Sequence, residues 1–454
     1  MDIAEPLTDY ALQMQFADVP GEAKHSAKVF LADSFGVAVA GAKAPLAKEV
    51  FETASSWGTA HNAEGCTLFG RQSKMPAASA AFVNSFQLHC QEFDCVHEEA
   101  VVHPMATILP ALVATAEARP DLSGEDFLTA IIAAVDIAAG LGLAAKTPLK
   151  FFRPANAGLF GATLGVARLR GFDHACARNA LGIALAHCSG TMQAHIEGKP
   201  TLALQAANAS RAAVMACDLA AAGMAGPQDV FEGKFGYFAL FEDEYDPQIA
   251  VRDLGNTYRI TQVSHKTHPT GRAAQGGLAL VQQALDAGLS MDDIESAVLL
   301  APPIINTLVG RRYIAEPAVN YARLCFPYLA ATMITSGKVS FESFRSESLN
   351  DGVTADLAAR ISVQHNHVTD VSTFGPQTLI VSTKNGDEHT FEIAHQSGSP
   401  ENPLSRDAQF QKFRNCMTYT ANRQIDCEMI WREIHALEER PFAAVLKRIS
   451  DPFV

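Results

Sequence analysis

The chain lacks most of the motifs that announce a function. Its nine cysteines are scattered and none forms a CxxC pair, which argues against a zinc site or a disulfide framework and for reduced thiols. No HExxH or similar zinc spacing occurs. The glycine-bearing stretch 157–165, AGLFGATLG, has no strand before it and the wrong spacing for a phosphate loop. Its small residues read as a packing face. The start, MDIAEPLTDY, has no basic segment followed by an apolar run, so no signal peptide is expected. The most apolar stretches are interrupted by charge, Asp136 in one and Arg211 and Asp218 in another, leaving no uninterrupted run long enough to span a bilayer. Positive charge is scarce as well. Against 49 Asp and Glu stand 35 Lys and Arg, a net charge of −14, which argues against a general nucleic-acid or acidic-membrane binder but leaves room for a local cationic pocket. These absences point to a cytoplasmic protein.

What is present is a large apolar fraction. With 454 residues, 48% of them hydrophobic, the chain exceeds one ordinary core, and two domains are expected. Up to about residue 250 apolar positions recur at helical spacing, most clearly over 25–41, 76–90, 105–117, 124–145, 157–170, 176–188 and 203–223. From about 258 the texture changes. Residues 258–264, 296–301, 360–365 and 378–383 read as strands, the last joined to 388–393 through Asn385-Gly386, a hairpin signal. Helices near 271–288, 318–336 and 352–359 fall between them. Residues 406–454 return to helical texture, with Trp431 and Phe442 as anchors. The pattern predicts a mainly α fold. A large all-helical domain is built from both chain ends (1–262 and 402–454), and a smaller α+β lid domain (263–401) is inserted between them.

Three clusters carry chemistry. His89, Asp94, His97 and His103 fall within fifteen residues of a chain with 15 histidines. Imidazole and carboxylate are the side chains best able to move protons near neutral pH. On a helix, Asp94 and His97 would share a face. Metal binding and plain structural histidines remain open alternatives for this cluster. A second cluster, His265, Lys266, His268 and Arg272, stands where a strand gives way to a helix. Free amide donors and basic side chains at such a junction suit an anion, though a solvated basic loop has the same composition. In the third, Arg153 precedes Pro154 and is expected to be extended on a loop, its guanidinium free to bind a carboxylate. A surface arginine is the competing reading. Arg311, Arg312 and Tyr313 read as a basic surface segment.

These residues resemble the MmgE/PrpD family over nearly the whole chain. The family's Asn-Gly-x-x-x-His-x-x-Asp-Phe-Asp-Asp and following His-Pro look like Asn84-Ser85, His89, Glu92-Phe93-Asp94-Cys95 and His103-Pro104. Its Lys-x-Tyr-Pro-x-x-Arg is similar to the stretch from Lys266 to Arg272, and its Gly-x-Pro-x-Asn-Pro to the stretch from Gly398 to Pro403. The resemblance implies a helical domain with an α+β lid, a cleft between them, a homodimer and no organic cofactor, and the missing zinc spacing leaves no metal expected. It also implies small anionic di- or tricarboxylate substrates. The chain departs from the dehydratase and decarboxylase members in several places. Their active-site histidine aligns with Arg153, their helix-start lysine with Leu202, their second aspartate with Cys95, and their tyrosine after the lysine with His268. A proton-transfer group is lost and a permanent cation gained.

The expectation that follows is proton abstraction and return at carbon α to a carboxylate, as in epimerisation of a dicarboxylate by iminodisuccinate epimerase. Asp94 and His103 would exchange the proton, helped by His97, Lys266 or His268. Arg153 and Arg272, with Lys266, would hold the carboxylates and stabilise the enolate-like charge, with His89, Asn156 and Tyr321 as further substrate contacts. A hydro-lyase of the 2-methylcitrate dehydratase type is the alternative within the family. A dicarboxylate-binding member without catalysis is the alternative outside enzymes.

Overall fold

Alanine and glycine at helical spacing let the central helices approach closely. The computed structural model describes residues 2–58, 65–370, 373–419 and 424–450. The main helices here are α1 (Gly21–Gly41), α2 (Ala77–His89), α3 (Pro104–Ala116), α4 (Gly124–Ala144), α5 (Arg153–Leu169) and α6 (Thr201–Ala221). Ser123 caps α4 by accepting from the Asp126 amide at 3.0 Å. A Cβ added at Gly161 of α5 would lie 2.3 Å from the Ala134 carbonyl of α4, so glycine is what permits this crossing. By length and composition α4 is long and apolar enough to cross a membrane, which corrects the expectation that Asp136 interrupts it. Its most apolar stretch is 94% buried inside the protein. Asp136 is sealed there, accepting from the Tyr10 hydroxyl and from the Arg259 amide at 2.6 Å.

One hydrophobic core runs from Ile3 to Val263 and takes in Phe413, Trp431, Phe442 and Ile449 near the other end of the chain. Phe442 stacks on Phe127 at 3.7 Å. The expected helical stretch 406–454 contains α9 (Arg406–Tyr419), Cys427–His435 and Phe442–Ser450; residues 420–423 and 451–454 lie outside the described ones. A second core, from Ala273 to Val381, lies under α7 (Arg272–Asp286), α8 (Phe326–Ser336) and a sheet.

Two short strands, β1 (Val96–His97) and β2 (Val263–Ser264), pair antiparallel. The sheet of the smaller core has the order β4-β3-β5-β6, for β3 (Ile294–Ala301), β4 (Ile361–His365), β5 (Gln377–Thr383) and β6 (Glu388–Ile393). β3 and β4 run parallel, and the other neighbours are antiparallel. In β5, Gln377, Leu379, Val381 and Thr383 are buried alternately with more exposed residues, the period of a sheet with one covered face. The hairpin to β6 turns at Asn385-Gly386, with Gly386 at φ +93°.

Two expected elements differ. Residues 258–264 form a 3₁₀ turn, Arg259–Gln262, before the two-residue β2. Arg259 is drawn to α4, where its guanidinium donates to the Asp136 carbonyl at 3.0 Å, and the chain bends instead of pairing. The helix expected over 318–336 splits into Val319–Ala322 and α8. Arg323 sits in the break, fully buried, donating to the Cys90 carbonyl at 2.6 Å, and Pro327 opens the new helix.

Candidate active site

Helix α2 ends where the charged residues begin. His89, its last residue, is buried. Residues 90–103 contain no helix, so the expected face shared by Asp94 and His97 does not form. Glu92 takes a left-handed φ of +51°, and so does Val101. A β-branched residue adopts that conformation only when its surroundings enforce it. The turn brings Asp94 back beneath His89. His103 is the residue before α3, whose first position is Pro104 with its fixed φ.

Asp94 Oδ2 accepts from His89 Nδ1 at 3.0 Å and from His103 Nδ1 at 2.9 Å. Its Oδ1 lies 3.7 Å from the Lys266 ammonium. Lys266 is fully buried and donates to the Glu92 carbonyl at 3.1 Å and the Glu92 carboxylate at 3.3 Å. Pairing of β1 with β2 is what carries Lys266 to Asp94 across 172 residues of chain.

Buried charges here set one another's protonation. Burial works against the Asp94 carboxylate, yet His89, His103 and Lys266 outweigh it and hold its pKa well below the usual value. Glu92 is lowered in the same way, chiefly by Lys266 and His89 against its burial. Burial disfavours a charged His89, but Asp94 and Glu92 together raise its pKa. His103 goes the other way: burial outweighs the attraction of Asp94 and lowers it. His103 is therefore neutral at pH 7. Because the ionised Asp94 can only accept, its proton sits on Nδ1 and its lone pair on Nε2. A neutral base, fixed in tautomer and ring orientation by a buried carboxylate, suits proton abstraction.

His103 faces a cavity of about 60 Å³, room for a few waters. His89, Glu92, Arg153, His195 and Arg272 supply its polar wall, and residues such as Phe152, Met192, Leu202, Val309 and Phe374 its apolar one. Val101, Leu149, Arg153 and Leu308 also line a wider hollow of about 470 Å³. The histidine-rich turn and the Arg272 corner therefore meet at one cavity, as the sequence suggested.

Other expectations need correcting. Arg153 is neither extended nor free. It is the first residue of α5, where a proline at the next position forfeits no helical hydrogen bond. Its guanidinium bonds Glu242 at 3.2 and 3.3 Å and the Thr147 carbonyl at 2.7 Å. Arg272 is held by Glu98 at 2.7 Å and by two carbonyls, leaving Nη2 without a partner among the described residues. His97, His268, Asn156 and Tyr321 do not line the cavity. His97 Nδ1 accepts from the Ala100 amide and its Nε2 donates to Gln262 at 3.2 Å. His268 donates to the Val339 carbonyl at 3.2 Å. The Asn156 amide is buried without a partner among the described residues. Tyr321 donates to the Arg312 carbonyl at 2.7 Å and lies under the Arg311 guanidinium. Glu98, His195 and Glu242 went unread in the sequence, and Glu92 was noted only as part of a motif. Their roles depend on cationic partners far along the chain: Lys266 for Glu92, Arg272 for Glu98, Arg311 for His195 and Arg153 for Glu242.

His89, Asp94 and His103 bring three ligand atoms within 4.8 Å of one another, so they could hold a metal ion. The Lys266 ammonium beside the same carboxylate competes with a cation for it.

The fold and site thus describe a mainly helical protein with a buried aspartate–histidine–lysine cluster beside a small cavity. The N-terminal domain of the MmgE/PrpD family matches residues 5–250 and its C-terminal domain residues 268–434. The chain belongs to the MmgE/PrpD family. It is 26% identical to human cis-aconitate decarboxylase over 81% of this chain and 78% of that one. Identity to the mouse cis-aconitate decarboxylase is 25%, over 93% of this chain and 88% of the relative. A cis-aconitate decarboxylase-like protein of Aspergillus oryzae is 22% identical over 95% and 93%.

Proposed function

We propose that the protein is a lyase acting on a small di- or tricarboxylate, with His103 as the group that moves the proton. The observation that carries this reading is the Asp94–His103 pair, which leaves a neutral Nε2 lone pair facing a small, largely apolar cavity. For elimination, His103 takes the proton from the carbon α to a carboxylate. The electron pair passes to that carboxylate as an enolate and then expels the β hydroxyl, which takes back the proton from His103 and leaves as water. For decarboxylation of an unsaturated acid, His103 first takes a proton from solvent, then delivers it to carbon as CO₂ leaves, and so returns to its neutral resting form. An apolar wall favours either step by excluding water from the developing charge.

The relatives named for cis-aconitate decarboxylation support the lyase class above epimerisation. Leu202 and the Glu242-paired Arg153 line the cavity where decarboxylase members carry lysine and histidine, which favours a substrate other than cis-aconitate. The test is NMR in D₂O with cis-aconitate, hydroxy-tricarboxylates and amino- or imino-dicarboxylates. Release of CO₂ or an alkene from one of them, lost in His103→Asn, is the expected result. Exchange or inversion at carbon α with no bond cleavage would replace the lyase with an epimerase. Binding without either would leave a dicarboxylate-binding protein.

A further inference from the structure

His195 lies in the short helical turn Gln193–Ile196 ahead of α6, and its ring lines the same cavity as His103. Arg311 reaches it from the second core's side, donating to its carbonyl at 2.9 Å and meeting its Nδ1 at 3.4 Å. A guanidinium has donors only, so Nδ1 is the acceptor and the ring proton sits on Nε2. That Nε2 has no hydrogen-bond partner among the described residues, and it is not one of the sealed polar atoms. The other polar groups of the wall are largely committed. Glu242 holds Arg153, Glu98 holds Arg272 and Asp94 holds His89.

His103 and His195 are thus opposite tautomers on one cavity, the first offering a lone pair and the second an N–H. We propose that His195 is a second catalytic histidine, the neutral donor that hydrogen-bonds the enolate oxygen formed when His103 removes the α proton. The C–H pair moves to the substrate carboxylate, the proton to His103 Nε2, and His195 keeps its own proton throughout. Burial and the Arg311 charge push the His195 pKa to about 4, so the ring stays neutral over the working range. A neutral imidazole is a weaker acid than imidazolium, closer to an enolate in proton affinity, and it donates without surrendering the proton. Arg311 is then a positioning residue that fixes the tautomer. This proposal rests on the proton-transfer reading above.

The experiment compares His195→Phe, His195→Gln and Arg311→Met with the unmodified protein on whichever carboxylate the D₂O panel identifies. Removing one such donor costs ~10²-fold or more in kcat. His195→Phe should lose that much with KM held within about threefold, because ground-state binding is untouched. His195→Gln, whose amide N–H reaches near the same point, should recover at least about tenfold of the loss. Arg311→Met, which frees Nδ1 to carry the ring proton in place of Nε2, should lower kcat by about tenfold with KM held, since part of the population then turns a lone pair to the cavity. Full kcat in His195→Phe, or a change in KM alone, overturns the proposal while leaving the proton-transfer reading standing. Should the phenylalanine variant not fold, an unchanged kcat in Arg311→Met does the same. An unmodified protein that turns over none of the panel defeats the proton-transfer reading, and the role of His195 with it.

Discussion

The Lys412 ammonium stands 4.1 Å from the centre of the Phe93 ring and donates to the carbonyl of that same residue at 2.9 Å. It also pairs with Asp33 at 2.7 Å, both side chains being buried. One cation on α9 thereby ties α1 and the residue before Asp94 together. Lys412→Met should strand the Asp33 charge and cost about 3–5 kcal/mol. Adding Asp33→Leu should return most of that loss. Urea unfolding checks both, and a single variant as stable as the parent would rule out the tether.

Turnover should depend on pH through His103. Burial lowers its pKa below the ordinary 6.5, so the active neutral form persists down into the acid range. The acid limb of kcat/KM is expected below pH 6.5, with a plateau at neutrality. A limb centred above about 7 would assign the proton to another group. Lys266→Ala, which removes the cation beside Asp94 and Glu92, should lower turnover by at least ~10²-fold.

His265 stacks on Phe30 at 4.5 Å with its Nε2 unpartnered among the described residues. Burial pushes its pKa down to about 4, against 6.5 when unfolded. The unfolded chain therefore binds the proton more readily. The contribution of His265 to stability is present above about 6.5 and lost as pH falls toward 4. His97 and His195, also lowered to about 4, act in the same sense. Asp136, raised by burial to about 7, acts oppositely: its share is present below its unfolded value and lost as pH rises through 7. A single-site comparison separates them. His265→Phe should gain in urea midpoint relative to the parent between pH 7 and pH 5. An identical difference at the two pH values would count against this assignment.

Gly198 has φ +63°, and a Cβ there would lie 2.6 Å from the Tyr321 Cα. Its loop carries His195 and presses on the segment that carries Tyr321. Gly198→Ala should therefore displace His195 from the cavity, lowering kcat by about tenfold or more, since small misplacements near a site are costly. Unchanged kcat with normal stability would show that the loop absorbs the methyl group.

Local chemistry was legible in the sequence where it acts over short distances. The α4 pattern, the Asn385-Gly386 hairpin and the crowding of His89, Asp94 and His103 all depend on neighbours within a turn or two. Arg153 was misread because proline's effect on the preceding residue was weighed without Glu242, 89 residues further on. The 258–264 strand failed for a similar reason, since Arg259 answers to Asp136 on α4 rather than to its own β propensity.

The sequence by itself determined a mainly helical chain with proton-moving groups in one short stretch, because period and composition act locally. Only the tertiary structure decided which groups share the cavity and in what state. The β1–β2 pairing carries Lys266 to Asp94, and Arg311 turns an unremarked histidine into a fixed donor. Protonation and tautomer depend on burial and on charges within a few ångströms, and folding sets both through contacts between residues remote in the chain.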